Sequence, residues 1–413
     1  MITRKYHKQV NKGAQLRQYL YPMLVLWACS QAVYGQSATA QHSTTHTPAQ
    51  PSINANRFIL LNANTHPTTP QHAICARDTR SGLIWEIKSP NKGLRYRHNT
   101  YTWYTLDTRN NGGFNGNKNG GRCTGSRCDT TSYVGAINHL KLCGLSHWRL
   151  PTRRELDTLI DYRIRYPGPM LDVKAFPQTV SQFYWSSTPD ANDKDSAWGI
   201  GFSFGFDFAY FKIDAARVRL VHDALPGKPR PAQMALNADI PLPVSSYSSA
   251  ANTQHCQAGI RATAPTSHYL AGDDGTVVDR DSRLMWMRCP LGQHWRHAHC
   301  AGKATTFTLA AARNAVAKTR YAGYQDWRLP DITELSLLTE LQCEYPAINL
   351  TVFPDTTTMN VWSGTPFAND QHKQWQVEFH HGENLADLKS SRAAVRLVRT
   401  TGPSNQKQNG MSK

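Results

Sequence analysis

Apolar residues downstream of Pro151 recur at helical spacing. Leu156, Leu159 and Ile160 share one helix face, as do Leu335 and Leu338 downstream of Pro330. Both runs begin alike. Pro151 biases Leu150 toward extended backbone, Thr152 can cap the first turn, and Glu155 three residues on completes a capping box; Asp331 and Glu334 repeat the device. Two helices of about three turns are predicted there. Further helices are predicted over 133–142 and, from its alanine-rich pattern, over 309–318. The period then changes to two. Residues 183–187, 198–204, 208–212 and 218–222 are short aromatic or β-branched runs parted by turn residues, which suits an antiparallel sheet. The predicted class is α+β, with two helices and then a small antiparallel sheet in each half of the chain.

That pattern is a duplication. His147-Trp148-Arg149-Leu150-Pro151 is echoed by Asp326-Trp327-Arg328-Leu329-Pro330, and the echo continues in order through Glu155/Glu334, Tyr166/Tyr345, Phe176/Phe353, Trp185/Trp362 and Val218/Val395. The offset is 179 residues up to Tyr166 and 177 from Phe176 onward. Upstream, Trp85 and Trp286 each follow an aspartate, Asp78 or Asp279, by seven residues. Copy one holds 22 extra residues around 110–121, a run of Asn, Gly and Lys that reads as loop. Boundaries follow at 71–223 and 253–401, with polar linkers over 36–70 and 224–252 and a polar tail over 402–413.

The first 35 residues pair five basic and no acidic side chains with an apolar stretch from Leu20 to Val33, and read as a signal peptide. A retained membrane anchor is the rival, but the apolar run is shorter than the ~20 residues that span a bilayer. A lipidated Cys29 is a second alternative, which bulky Trp27 fits badly. Cleavage lowers the formal charge from +17 to +12. A basic exported chain favours polyanions such as acidic polysaccharide, or uses its charge for solubility; nucleic acid is not expected as a partner. Eight cysteines remain, four per copy, and none forms a CxxC pair, so two disulfides per copy are expected in place of zinc. Spacing favours Cys123–Cys128 and Cys289–Cys300 as local staples with Cys75–Cys143 and Cys256–Cys343 as long ones, one choice among three for each copy.

The early Leu-x-Trp, the Trp-Arg-Leu-Pro before a capped helix, the Phe-Pro, the Trp-Ser and the closing Val-Arg-Leu-Val, each present twice, resemble the Lcl C-terminal domain family, named for a Legionella collagen-like adhesin. In copy one Asn111-Gly112-Gly113 and Cys128-Asp129-Thr130 also resemble the family. Copy two carries the Arg288-Cys289-Pro290-Leu291-Gly292 variant. The resemblance implies a C-type-lectin-like fold. It also implies an exported binding role, since some relatives are adhesins for sulfated polysaccharides, and tandem copies behind a signal peptide are similar to exported factors that stabilise type IV pili. One departure is that His147 stands where the family has aspartate, as Asp326 does in copy two.

Candidate chemistry is sparse, and no cofactor, metal or catalytic residue is expected. His294, His297, His299 and Cys300 are the most metal-like group, but a disulfided cysteine cannot ligate and no acid orients the imidazoles. His380-His381-Gly382-Glu383 reads as a turn between strands, and no nucleophile elbow or phosphate loop occurs. A thiol enzyme on a related fold would need unpaired cysteines. Trp85, Trp148, Trp185, Trp286, Trp327 and Trp362 could stack on sugars, but their repetition at equal places favours core. Arg149, Arg219, Arg328 and Arg396 are expected to pair with Glu155 or Glu334 inside the scaffold. Recognition is expected in the long loop of copy one, through Arg109, Phe114, Lys118, Arg122 and Arg127, with Tyr101, Trp103 and Tyr104 before it. The alternative is a surface loop without a partner. The first expected partner is a pilus or other envelope protein, and the second an anionic polysaccharide. The location is the periplasm or outer cell surface, with no membrane span left after cleavage.

Overall fold

The computed structural model describes residues 57–223 and 254–401. The expected signal peptide, Cys29, the expected linker over 224–252 and the expected tail over 402–413 lie outside them.

Each copy opens with a four-stranded antiparallel sheet whose last strand returns from the end of the copy. In copy one the order is β1 (Phe58–Leu61), β2 (Cys75–Asp78), β3 (Ile84–Glu86) and the closing β7 (Val221–His222). In copy two it is β8 (Tyr269–Ala271), β9 (Thr276–Asp279), β10 (Leu284–Met287) and β14 (Val398–Thr400). Between these ends run two helices and a three-stranded antiparallel sheet. Copy one has α1 (Thr130–Leu140), α2 (Arg153–Asp157), and β4 (Phe183–Pro189), β5 (Ser196–Gly201) and β6 (Asp207–Phe211). Copy two has α3 (Leu309–Lys318), α4 (Ile332–Ser336), and β11 (Asn360–Pro366), β12 (Lys373–Glu378) and β13 (Asn384–Leu388). Phe58–Leu61 thus takes part of the expected linker into the first sheet, paired with β2.

This architecture corrects the expected fold class. Two helices of useful length and one small sheet per copy, in a C-type-lectin-like layout, are not what forms. The described residues are mostly small antiparallel sheets, and α2 and α4 have five residues each instead of three turns. Their starts match the sequence logic. Thr152 Oγ1 accepts from Glu155 N at 3.1 Å while Glu155 accepts from Thr152 N at 2.8 Å, and Asp331 and Glu334 form the same box. Their ends come early because tertiary partners take the next backbone groups. Arg57 Nη2 donates to the Thr158 carbonyl at 2.8 Å, and Asp161 N turns away to Met170 O at 2.8 Å. Leu159 and Ile160 still reach the core, from a turn.

The four disulfides are Cys75–Cys143, Cys123–Cys128, Cys256–Cys343 and Cys289–Cys300. Two of the three apolar clusters each serve one copy. The third crosses between copies and joins Leu156, Tyr184, Ile200 and Phe202 of copy one to their repeat equivalents Leu335, Val361, Val377 and Phe379. The copies therefore meet through matching faces.

Candidate functional site

Copy one carries an aromatic sheet face that copy two lacks. Along β5 the residues Ala197, Gly199 and Gly201 share one face with Phe183 and Trp185 of β4 and Phe208 and Tyr210 of β6. A side chain at 199 would collide with the Phe183 ring, so glycine lets the flanking rings close over the central strand. Phe183 lies 4.6 Å from Phe208 and 5.3 Å from Tyr210 between ring centroids. Beneath them Trp185 is buried and donates to Tyr101 O at 2.9 Å. The rim is open: Phe208 and Tyr210 on this face, Phe211 on the opposite face of β6 and Ile213 beyond its end are 36, 39, 48 and 66% exposed. The equivalent residues of copy two are Gln374 and Gln376 on β12 with Leu385, Asp387 and Leu388 on β13.

Beside this face the long loop of copy one is built on a buried lysine. Lys212 Nζ donates to the carbonyls of Asn111, Phe114 and Lys194 at 2.8, 2.9 and 2.6 Å and lies 4.6 Å from the Trp103 ring. Burial pulls its pKa down to about 8, with nearby Asp195, Asp193 and Asp190 pulling the other way. Gly116 has φ +87° with no room for a Cβ against the Trp103 carbonyl. Asp129 caps α1 by accepting from Ser132 N at 2.8 Å, and Cys123–Cys128 closes the far end. The loop also grips the start of copy two. Gly112 N donates to Gly259 O at 3.0 Å, Arg261 N to Asn110 Oδ1 at 3.0 Å, and Arg261 Nη2 to Asp107 at 2.5 Å.

Where this loop meets the start of copy two, a cavity of about 580 Å³ opens between Tyr104, α1, the start of α2 and residues 261–263. Tyr104, Val134 and Leu150 line it together with Arg149, Arg154 and Arg261.

The expected site residues divide. Arg109, Lys118, Arg122 and Arg127 are exposed, and Lys118 lies 5.1 Å from the Tyr104 ring. Phe114 is half-buried near Lys212 and Lys194. Tyr101 and Trp103 are core: each is no more than 1% exposed, and Trp103 Nε1 donates to Ser186 O at 2.9 Å. Trp85, Trp148, Trp185, Trp286, Trp327 and Trp362 are buried as well. Arg149 bridges Glu155 at 2.7 Å and Arg328 bridges Glu334 at 2.6 Å. Arg219 and Arg396 do not join those glutamates. Arg219 donates to Glu86 O and Thr179 Oγ1 at 2.6 Å each and lies over Phe176; Arg396 donates to Met287 O at 3.0 Å and Thr356 Oγ1 at 2.7 Å over Phe353. Both clamp the closing segment to the preceding sheet. Asp326 pairs with Arg399 at 2.8 Å, where copy one has His147 and His222, so that carboxylate has a scaffold role in copy two. His294 and His299 sit in a hairpin stapled by Cys289–Cys300.

A second polar group lies near the junction. The turn between β12 and β13 brings His380 to 3.4 Å from Glu378 and His381 to 3.3 Å from Glu344. Burial raises Glu344 to about 7, helped by the charge of Asp190. Burial also raises Glu383 to about 7, with Glu378 and Asp190 adding to it, and raises Asp190 to about 6. Burial lowers His381 to about 4.

Sequence reasoning missed the aromatic rim, Lys212 and Arg261. The rim had a usable signal: setting residues 207–211 beside their repeat 384–388 shows Phe, Tyr and Phe against Leu, Asp and Leu. Four disulfides fit an extracellular protein, and no helix among the described residues is long and apolar enough to cross a membrane. No curated protein matches the chain. Residues 74–222 and 275–399, more than half of the chain, match the model of the Lcl C-terminal domain, a match that suggests an adhesin-like extracellular protein, and the chain belongs to that family with two copies in tandem.

Proposed function

We propose that this is an exported, non-catalytic envelope protein that supports type IV pili through protein–protein contacts made by copy one. The supporting observation is the set of exposed apolar side chains Phe208, Tyr210 and Phe211 on an edge strand, with Ile213 just beyond it, where copy two has Leu385, Asp387, Leu388 and Ser390. Pairing of all eight cysteines among the described residues speaks against thiol chemistry. Deleting the gene and counting surface pili tests the reading. Restoring it with a Tyr210→Asp/Phe211→Leu chain, which copies the residues of the duplicate, should leave pili as scarce as the deletion does. Unchanged pili in the deletion would sink the idea.

A second reading, recognition of anionic and especially sulfated glycans, is favoured by the four exposed cations Arg109, Lys118, Arg122 and Arg127 on one loop. Salt-sensitive retention on a sulfated-polysaccharide column, lost when residues 108–131 are shortened, is the expected outcome.

A further inference from the structure

We propose that the cavity beside Tyr104 binds a carboxylate carried on an apolar body, and that its occupant is the C-terminal residue of a partner polypeptide. The proposal rests on the protein-contact reading above and names the chemistry of one contact. At about 580 Å³ the cavity falls inside the roughly 300–1,000 Å³ typical of ligand sites. One wall is apolar, made of Tyr104, Val134 and Leu150. Four of the hydroxyls around it already have protein partners. Thr130 and Thr131 both donate to Tyr104 O at 2.7 Å, Thr263 donates to Thr339 O at 3.0 Å, and Thr188 accepts from Arg153 N at 3.1 Å. A sugar needs a partner for each buried hydroxyl, at a cost of about 1–3 kcal/mol for each one missed, whereas a single carboxylate on an apolar body needs few.

The guanidinium groups differ in what they can offer. Arg149 spends both terminal nitrogens on Leu150 O, Glu155 and Asp223 and contributes only its field. Arg154 is anchored by a bond from Nη2 to Leu337 O across the junction. Arg261 is held through Nη2 by Asp107, and its side chain is 61% exposed. A guanidinium has five N–H donors in a planar fork, so Arg261 can take a second carboxylate while staying anchored. Three cations and one carboxylate line the cavity. An apolar wall facing a positive fork matches a chain terminus, with its side chain on Tyr104 and Val134 and its carboxylate on Arg261.

The test titrates the full chain with N-acetyl-phenylalanine, N-acetyl-phenylalaninamide and glucuronate, followed by calorimetry. The acid should bind at least tenfold more tightly than the amide and than glucuronate. Arg261→Gln should weaken the acid at least fivefold, and Asp107→Asn, which frees the fork, should strengthen it. Val134→Trp, which fills the apolar side, should abolish binding with an unchanged melting profile. Equal affinity for acid and amide, or tighter binding of glucuronate, overturns the proposal. In cells the two ideas separate. Loss of pili in the gene deletion but not in the Val134→Trp strain overturns the cavity proposal and leaves the protein-contact reading standing. Unchanged pili in the deletion removes the reading itself.

Discussion

At the junction, equivalent positions of the two copies face each other and carry different chemistry. Copy one supplies Arg153, Asp157, Tyr162 and Asp207, all buried, and the matching residues of copy two are Ile332, Ser336, Leu341 and Asn384. Arg153 pairs with Asp207 and donates to Thr339 of copy two at 3.0 Å. Asn384 N donates to Asp207 at 2.7 Å, and Ser336 donates to Asn384 Oδ1 at 2.7 Å. Two identical copies in this arrangement would set aspartate against aspartate in a dry interface. Copy two is neutral where copy one is charged, and each half satisfies the other. The same contrast recurs inside the copies. Glu86, Lys88 and Tyr133 form a buried hydrogen-bonded triad in copy one, and copy two has Met287 at the place of Glu86. Burial pushes the Glu86 carboxyl up, but Lys88 and the hydrogen bonds outweigh it and hold it below its ordinary value.

The largest effects should come from breaking the charged side of this contrast. Asp207→Ala leaves Arg153, 2% exposed, without the carboxylate it bonds to and with only the field of Asp157 and Glu383, and is expected to cost about 3–5 kcal/mol in urea unfolding. Asn384→Ala removes only neutral hydrogen bonds and should cost about 1–3 kcal/mol. Lys88→Met should resemble Asp207→Ala in size, because it strands Glu86. The sharper experiment copies the neutral solution into the charged half. Arg153→Ile combined with Asp207→Asn should recover most of the loss, and a double variant no more stable than Asp207→Ala would show that the pair, and not the stranded charge, carries the stability.

These contrasts also explain what the sequence could reveal. Capping boxes, the repeat landmarks and the helix over 309–318 depend on residues a few positions apart, and they form where expected. The lengths of α2 and α4 depend on distant partners such as Arg57 and Met170, which periodicity does not report. Phe58–Leu61 was an apolar run inside a polar stretch, and its pairing with β2 makes it a strand. At the site, exposed loop cations could be read from composition. Lys212 and Arg261 could not, because their partners Asn111 and Asp107 lie about a hundred or more residues away.

An intermediate effect is expected from pH. The hairpin turn after β5 is apolar in copy one, where Phe206 packs 4.9 Å from Trp375; the matching turn of copy two carries His380, His381 and Glu383. Glu344 and Glu383 bind protons more tightly folded, at about 7 against 4.5, and Asp190 at about 6 against 3.8. Their contribution is complete below about pH 4 and is lost as pH rises through 6 to 7. His381, lowered from 6.5 to about 4, acts oppositely, gaining stability as pH rises across that interval. Burial also raises Glu378 and lowers His380, so four raised carboxyls oppose two lowered imidazoles and the urea midpoint should fall between pH 5 and 7.5. In Glu344→Gln/Glu383→Gln the fall should flatten, and an unchanged slope would assign the pH response elsewhere.

The smallest effect on folding separates the two binding readings. Arg109, Arg122 and Arg127 are exposed on the loop that only copy one has, so replacing all three with alanine should shift stability by no more than about 0.5 kcal/mol for each position. Their removal lowers the local positive field, which a polyanion senses and an apolar protein contact does not. On a sulfated-polysaccharide column the triple variant should elute at lower salt than the parent, while Tyr210→Asp/Phe211→Leu elutes with it. Pilus number should show the reverse order. A triple variant that loses pili and keeps its column retention would move the protein contact from the aromatic rim of copy one onto its loop.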